Sequence, residues 1–215
     1  MSTKFDWSAY TSALKEFPPL TQYLEKELVE AIRSTIPRKP GLKILEVGCA
    51  NGRWLRWFAR EYNSDGYGLD LSTAGFKRDL DLLKGDALHL PYTDGSFDIV
   101  YSFGLVEHFQ KEDRMRILHE KARVLSNGGY MICALPNLFL SLEYFWVKYF
   151  YDYKQGYRHF VVRPLELDRA FRDLGLEVKH FSYIGVFREI DFFKRLRIGP
   201  FRRLFSGEML YICKK

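Results

Sequence analysis

Ile44-Leu45-Glu46-Val47-Gly48-Cys49-Ala50-Asn51-Gly52 is the stretch from which the rest of the chain is read. Lys43 to Val47 is a short apolar run of the kind that forms a buried strand. Gly48 to Gly52 reads as a tight turn, and Arg53 to Glu61 carries a helical pattern with Trp54, Leu55, Trp57 and Phe58. A strand, a glycine turn and a helix together suit a nucleotide or nucleoside. Glycine lets backbone approach a ligand closely, and a helix start offers N–H groups without partners. The dinucleotide fingerprint G-x-G-x-x-G falls here on Gly48, Ala50 and Arg53, so two of its glycines are absent. Glu46 at the strand end repels a pyrophosphate and suits a cationic ligand such as an amino-acid ammonium.

Moving outward, strands and helices alternate. Gly66–Asp70, Leu82–Asp86, Phe97–Ser102 and Tyr130–Leu135 read as strands, the last entered through the turn Ser126-Asn127-Gly128-Gly129. Lys111–Leu125 and Pro164–Leu174 read as helices, the second with proline at its start. Leu176–Ile184 and Met209–Cys213 read as two further strands. Before the first strand, Leu20, Leu24, Leu28 and Ile32 recur four apart, a helical stripe that Pro37, Pro40 and Gly41 end. This alternation predicts an α/β, Rossmann-like, mainly parallel seven-stranded sheet with helices on both faces and an antiparallel last strand.

With 215 residues, 47% of them hydrophobic, the chain can bury one full α/β core. The net charge of +6 permits an anionic substrate, RNA or a membrane surface and demands none. Cys49, Cys133 and Cys213 are far apart and odd in number, which argues against a disulfide framework or a zinc site. No leader-like apolar stretch opens the sequence and no window is long and apolar enough to span a bilayer, so a cytoplasmic location is expected. Two aromatic-rich stretches, about 137–162 and 185–206, break the alternation and read as insertions above the carboxyl edge of the sheet, where such folds bind ligands.

Asp70 ends the second strand, in place to accept hydrogen bonds from ribose hydroxyls, and Asp86 follows Gly85, in place to accept one from an adenine amine. An amino-acid tail, a ribose and an adenine together describe S-adenosylmethionine. The segments ILEVGCANGRWL (44–55), YGLDLS (67–72), GDALHLPYTDGSFDIVYSFGLVEHF (85–109), RVLSNGGYMICALPN (123–137) and RHFVVRPLELDRAFRDLGLEV (158–178) carry a family resemblance. In order and spacing the chain resembles the class I S-adenosylmethionine-dependent methyltransferases, nearest the small-molecule group that includes ubiquinone-biosynthesis enzymes. The resemblance covers Lys43 to Lys215. It implies a methyltransferase domain over 43–215 carrying the two insertions, with residues 1–42 as an N-terminal helical cap. Glu46, Gly48 and Gly52, with Cys49 and Asn51 of the same loop, would lie against the methionine part. Asp70 would hold the ribose, with Leu71 beside the adenine. Asp86 and Ala87 would flank the adenine, and Ser102 and Phe103 would sit near the sulfonium. The sequence departs from the family at Ala50, where a second glycine is usual, and in the short stretch between Asp70 and Gly85.

Methyl transfer from a sulfonium is an in-line displacement in which the protein mainly positions the nucleophile. His108, just after the fourth strand, is the leading general base, and His159 is the second candidate. Arg158 is placed to hold an anionic group on the substrate. Glu107 and His108 are both metal-ligand types, but two ligands are too few for a site, and no metal is expected. The expected acceptor is a small molecule, through oxygen before nitrogen or carbon. The basic, aromatic segment 192–205 leaves open peripheral membrane contact with a lipid-linked acceptor, or RNA as acceptor, although no recognised RNA module is present. A cofactor-binding partner protein without transferase activity is the remaining reading.

Overall fold

The structure is a computed structural model and describes residues 20–72, 80–137, 159–186 and 206–215. The expected insertions fall mostly outside the described residues, as do Arg158, the segment 192–205 and most of the connection after Asp70.

The first helix, α1 (Leu20–Thr35), leads to strand β1 (Lys43–Val47) and helix α2 (Arg53–Tyr62). Strands β2 (Asp65–Asp70), β3 (Asp81–Lys84) and β4 (Phe97–Phe103) follow. A 3₁₀ turn at Val106–His108 precedes helix α3 (Lys111–Val124) and strand β5 (Leu125–Pro136). Helix α4 (Pro164–Asp173) and strands β6 (Glu177–Val186) and β7 (Ser206–Lys214) complete the order.

The seven strands form one sheet in the order β3-β2-β1-β4-β5-β7-β6. All neighbours pair in parallel except β7, which runs antiparallel to both β5 and β6. The sheet expected from the sequence is present, with its antiparallel last strand. Because side chains alternate across a strand, each buried strand feeds two cores. Leu45, Val47, Val100, Met131 and Cys133 go to one face, joined by Ile117 and Leu118 of α3 and Leu167 and Phe171 of α4. Ile44, Ile99, Tyr101, Ile132 and Ile212 go to the other, joined by Phe58 of α2. The helix expected as an N-terminal cap contributes Leu28, Ala31 and Ile32 to this second core, against Ile184, Leu210 and Ile212.

The expected turn at Ser126–Gly129 is instead part of β5. Leu125 pairs with Phe97 and Tyr130 with Ile99, so the intervening residues bulge out of register. Gly128 takes a φ of 80°, and its N–H donates to the Lys215 carbonyl, so Lys215 ties the bulge down. Cys133 and Cys213 are fully buried core thiols, and all three cysteines are free.

The chain winds outward from β1 to β3 and returns to start again at β4. Beside β1 the connections therefore leave in opposite directions, which opens a crevice at the carboxyl ends of the strands. The glycine loop after β1 and the turn after β4 both empty into it. Ile32 lies wholly inside the second core, so Ile32→Ala is expected to lower the unfolding free energy by about 2–5 kcal/mol in denaturant titrations, as for any buried isoleucine.

Candidate active site

Gly48 and Gly52 adopt φ values of 78° and 67°, left-handed backbone in which glycine carries no steric penalty. A side chain at Gly48 would press on Leu105, and one at Gly52 would overlap Leu80. Ala50 is also left-handed, at φ 46°, although it has a Cβ. Its conformation is pinned by Asp70, whose Oδ2 accepts from Ala50 N at 2.8 Å while Oδ1 accepts from Ser72 N at 2.9 Å. One carboxylate thus clamps the glycine loop to the end of β2.

Most of the N–H groups that the sequence suggested as ligand donors are already used. Gly48 N and Cys49 N donate to the Leu69 carbonyl, Gly52 N to the Cys49 carbonyl, and Arg53 N to Asn51 Oδ1. Leu55 N donates to Glu46 Oε2 at 3.1 Å, so Glu46 caps the helix that starts after Gly52. The loop satisfies itself because five residues turn tightly between a strand and a helix, leaving their amides within reach of Asp70, Glu46 and Leu69. A pyrophosphate would find few donors here and an acid beneath them.

Glu46 is buried, and burial pushes its carboxyl up to about 8. The Tyr101 hydroxyl is buried beside it and makes no hydrogen bond of good geometry among the described residues. Burial and the neighbouring carboxylate hold that phenol well above its ordinary range, so it stays neutral.

The other expected residues divide in two groups. Leu71 is exposed next to Asp70 at the mouth, and Asp86 is partly exposed, with Oδ1 accepting from Leu88 N at 2.9 Å. Ala87 beside it is buried. Phe103 is half-buried at the end of β4 and meets Trp54 of α2 edge-on at 5.2 Å. Trp54 was missed from sequence because it reads as one more apolar residue of its helix. Two side chains turn away from the crevice. The Cys49 thiol packs onto the β2 backbone at Gly68. The Ser102 hydroxyl accepts from Lys121 Nζ at 2.7 Å inside the first core, because alternation along β4 points it to the α3 face. At those two positions the backbone alone is available to a ligand in the crevice.

The turn after β4 holds the most concentrated chemistry. His108 and His159, fifty-one positions apart, have ring centroids 4.5 Å apart. Glu107 Oε1 lies 3.9 Å from His108 Nε2, and one ligand atom from each of Glu107, His108 and His159 lies within 4.8 Å of the others. Glu107 is 1% exposed, its Oε2 has no hydrogen-bond partner among the described residues, and burial pushes its carboxyl up to about 8.

Arg114 builds this arrangement. Its buried guanidinium donates to the Val106 carbonyl at 3.1 Å and the Phe109 carbonyl at 3.0 Å, and pairs with Glu166 at the start of α4. Phe160 N donates to the Glu107 carbonyl at 2.7 Å, which draws His159 onto the turn. His89 and His119 are exposed, and His180 pairs with Ser182, so none of these three joins the site.

Residues 45–133 match the family described as "Methyltransferase domain". Over that segment the chain is similar to a methyltransferase domain. Its sheet is shared with an S-adenosylmethionine-dependent methyltransferase from Mesorhizobium loti, at a TM-score of 0.67 and 19% identity over 91% of this chain and all of that one. In sequence it is 30% identical over 125 residues to a probable tRNA methyltransferase 9B of Mus musculus, covering 55% of this chain and 24% of that protein. It is 37% identical over 109 residues to demethylmenaquinone methyltransferase of Bacillus mycoides, covering 44% of this chain and 45% of that protein. The chain thus spans less than half the length of these curated relatives.

Glu46 and Glu107 bind their protons more tightly in the folded chain than in the unfolded one, where a carboxyl titrates near 4.5. The folded state holds the extra protons between about pH 4.5 and pH 8, so the stability of the ligand-free protein falls as pH rises through that window. Glu46→Gln is expected to flatten part of this fall, seen as a smaller drop in Tm between pH 5 and pH 8 than in the wild type.

Proposed function

We propose that the protein transfers the methyl group of S-adenosylmethionine to a hydroxyl oxygen of a small molecule, using Glu46, Asp70 and Asp86 to hold the donor and His108 with His159 to meet the acceptor. The observation that carries this reading is the glycine loop itself, which is lined by carboxyl groups and has engaged the amides of Gly48, Cys49, Ala50 and Gly52 within the protein. Such a lining favours a ligand with a cationic amino-acid end and ribose hydroxyls over a dinucleotide. Asp70 keeps lone pairs for a ribose beyond those given to Ala50 and Ser72. Gly48 and Gly52 keep the methionine end close to backbone, flanked by Cys49 and Asn51, with Leu71 and Ala87 beside the adenine. Phe103 and the backbone of Ser102 stand at the end of β4, between donor and acceptor.

The acceptor oxygen attacks the methyl carbon in line with the carbon–sulfur bond. That bond's electron pair goes to sulfur and leaves S-adenosylhomocysteine, while the acceptor's proton passes to His108 and on to solvent. The ring of His108 is mostly shielded and lies against that of His159, on a turn that Arg114 holds in place. The demethylmenaquinone relative supports a small-molecule acceptor. The tRNA methyltransferase relative supports a second reading with RNA as acceptor, which strong salt dependence of RNA binding would favour. Among the described residues no helix is long and apolar enough to cross a membrane, and peripheral contact through 192–205 is a further proposal that vesicle co-sedimentation tests.

S-adenosylmethionine and S-adenosylhomocysteine are expected to raise Tm and NAD to leave it unchanged. A ligand that binds only the folded state adds about 2.7 kcal/mol at 100 times its Kd. Stabilisation by NAD alone contradicts the reading. His108→Ala is expected to keep the S-adenosylmethionine shift and to lose about 10²–10⁴-fold in methyl transfer, the usual contribution of an acid–base group. Full turnover in that variant removes His108 from the chemistry.

A further inference from the structure

We propose that the Glu107 carboxyl binds a cationic nitrogen of the acceptor, so that the molecule methylated on its hydroxyl also carries an ammonium group. The word acceptor rests on the methyl-transfer reading. The binding of an organic ammonium at Glu107 does not, and it is measured with or without the donor.

The carboxyl is short of donors. Glu107 is 1% exposed, and its Oε2 has no hydrogen-bond partner among the described residues. A buried carboxyl oxygen without a donor is costly, and native folds rarely leave one so. Its own backbone N–H and the charge of Arg114 ease the burial. The Arg114 guanidinium, however, donates to the Val106 and Phe109 carbonyls and pairs with Glu166. A second acid faces the same place. Glu208 of β7 bears electrostatically on the Glu107 carboxyl, and burial pushes Glu208 up to about 7 as it pushes Glu107 up to about 8. An incoming cation restores the ionised form of Glu107 and pairs with it through a charge-assisted hydrogen bond. A neutral hydroxyl gains only an ordinary hydrogen bond there, and an anionic ligand is repelled.

The approach to this carboxyl runs over Gly104, the residue that follows β4. Gly104 is exposed, and a side-chain carbon placed there would meet, among the described residues, only Glu107 Oε1, at 3.5 Å. Any larger residue at this position would lay its side chain over that oxygen. The opening also adjoins the proposed reacting centre. Glu107 Oε1 stands 3.9 Å from His108 Nε2, and the ring of His108 lies against that of His159. A nitrogen on Glu107 and a hydroxyl on His108 therefore fit within one small molecule, such as an amino alcohol or an aminoalkyl phenol. A site built around a buried charged group rejects an analogue that cannot answer it, because the group is then left unpaired.

Titration calorimetry on the full chain, with and without S-adenosylhomocysteine, compares amines with the alcohols that replace their ammonium by hydroxyl: tyramine with tyrosol, dopamine with hydroxytyrosol, and serinol with glycerol. At least one amine is expected to bind with a Kd of about 1 mM or tighter, and its alcohol counterpart about tenfold more weakly. Glu107→Gln is expected to weaken that amine about tenfold, and Glu177→Gln, which removes an exposed acid of β6, to leave it unchanged. Circular dichroism confirms that each variant is folded. Failure of every amine to bind, alcohols that bind as tightly as their amines, or a folded Glu107→Gln variant that retains the binding overturns the proposal. The comparison of amine with alcohol is made on the wild type, so it decides the matter even where Glu107→Gln does not fold. A Tm shift with S-adenosylmethionine and no amine binding removes this site and leaves the donor reading standing. Amine binding without that shift shows the reverse.

Discussion

The Asp70 carboxylate accepts one hydrogen bond from Ala50 N and another from Ser72 N, and the whole mouth of the crevice is organised around it. Ala50 carries a Cβ in left-handed backbone, a conformation that costs an alanine about 1–2 kcal/mol. The charge-assisted bond from Asp70 offsets that cost and fixes the loop at the same time. With Ala50 fixed, Gly48 and Gly52 make their two reversals, α2 starts at Arg53, and Glu46 reaches the amide of Leu55. The acid that faces the ribose in the proposed complex is thus already at work in the ligand-free chain, building the loop that receives the donor.

A second constraint follows from the first. The self-satisfied loop presents acid where other nucleotide folds present amides, and Glu46 beneath it is buried without a cation. Across the crevice Glu107 is also buried, with a carboxyl oxygen that no donor meets among the described residues. Burial keeps both carboxyls neutral near pH 7, with Arg114 offsetting part of the effect at Glu107. A sulfonium donor bearing an ammonium group answers the first. In the proposed complex the stability given up to bury Glu46 is recovered when the donor binds, as expected where a site is organised for its ligand before it arrives.

The strands were legible because each is a short apolar run that ends at a glycine or an acid, and β1, β2 and β4 fall where those runs predict. Asp70 was legible because it ends such a run. The turn at Ser126–Gly129 was misread because two adjacent glycines look like a reversal, and only the pairing of Gly128 and Gly129 with Lys215 makes them a bulge. The loop amides were misjudged for a related reason: a strand–glycine–helix pattern shows that donors exist, not that Leu69 and Asn51 have already taken them. Ser102 was assigned by its place at the end of β4. The alternation that turns its hydroxyl onto Lys121 was readable, but its partner on α3 was not. His108 and His159 were each singled out as bases. Their meeting depends on the Phe160–Glu107 backbone bond and on Arg114 gripping the turn, contacts between segments that no local pattern announces.

The measurement that tests the central claim most directly is a crystal structure of the protein with S-adenosylhomocysteine. The ribose hydroxyls should lie within hydrogen-bond distance of Asp70, and the amino group should lie on the Glu46 side of the glycine loop. The sulfur should face the His108–His159 pair. A nucleoside bound elsewhere, or a ribose that leaves Asp70 engaged only with Ala50 and Ser72, would contradict the account.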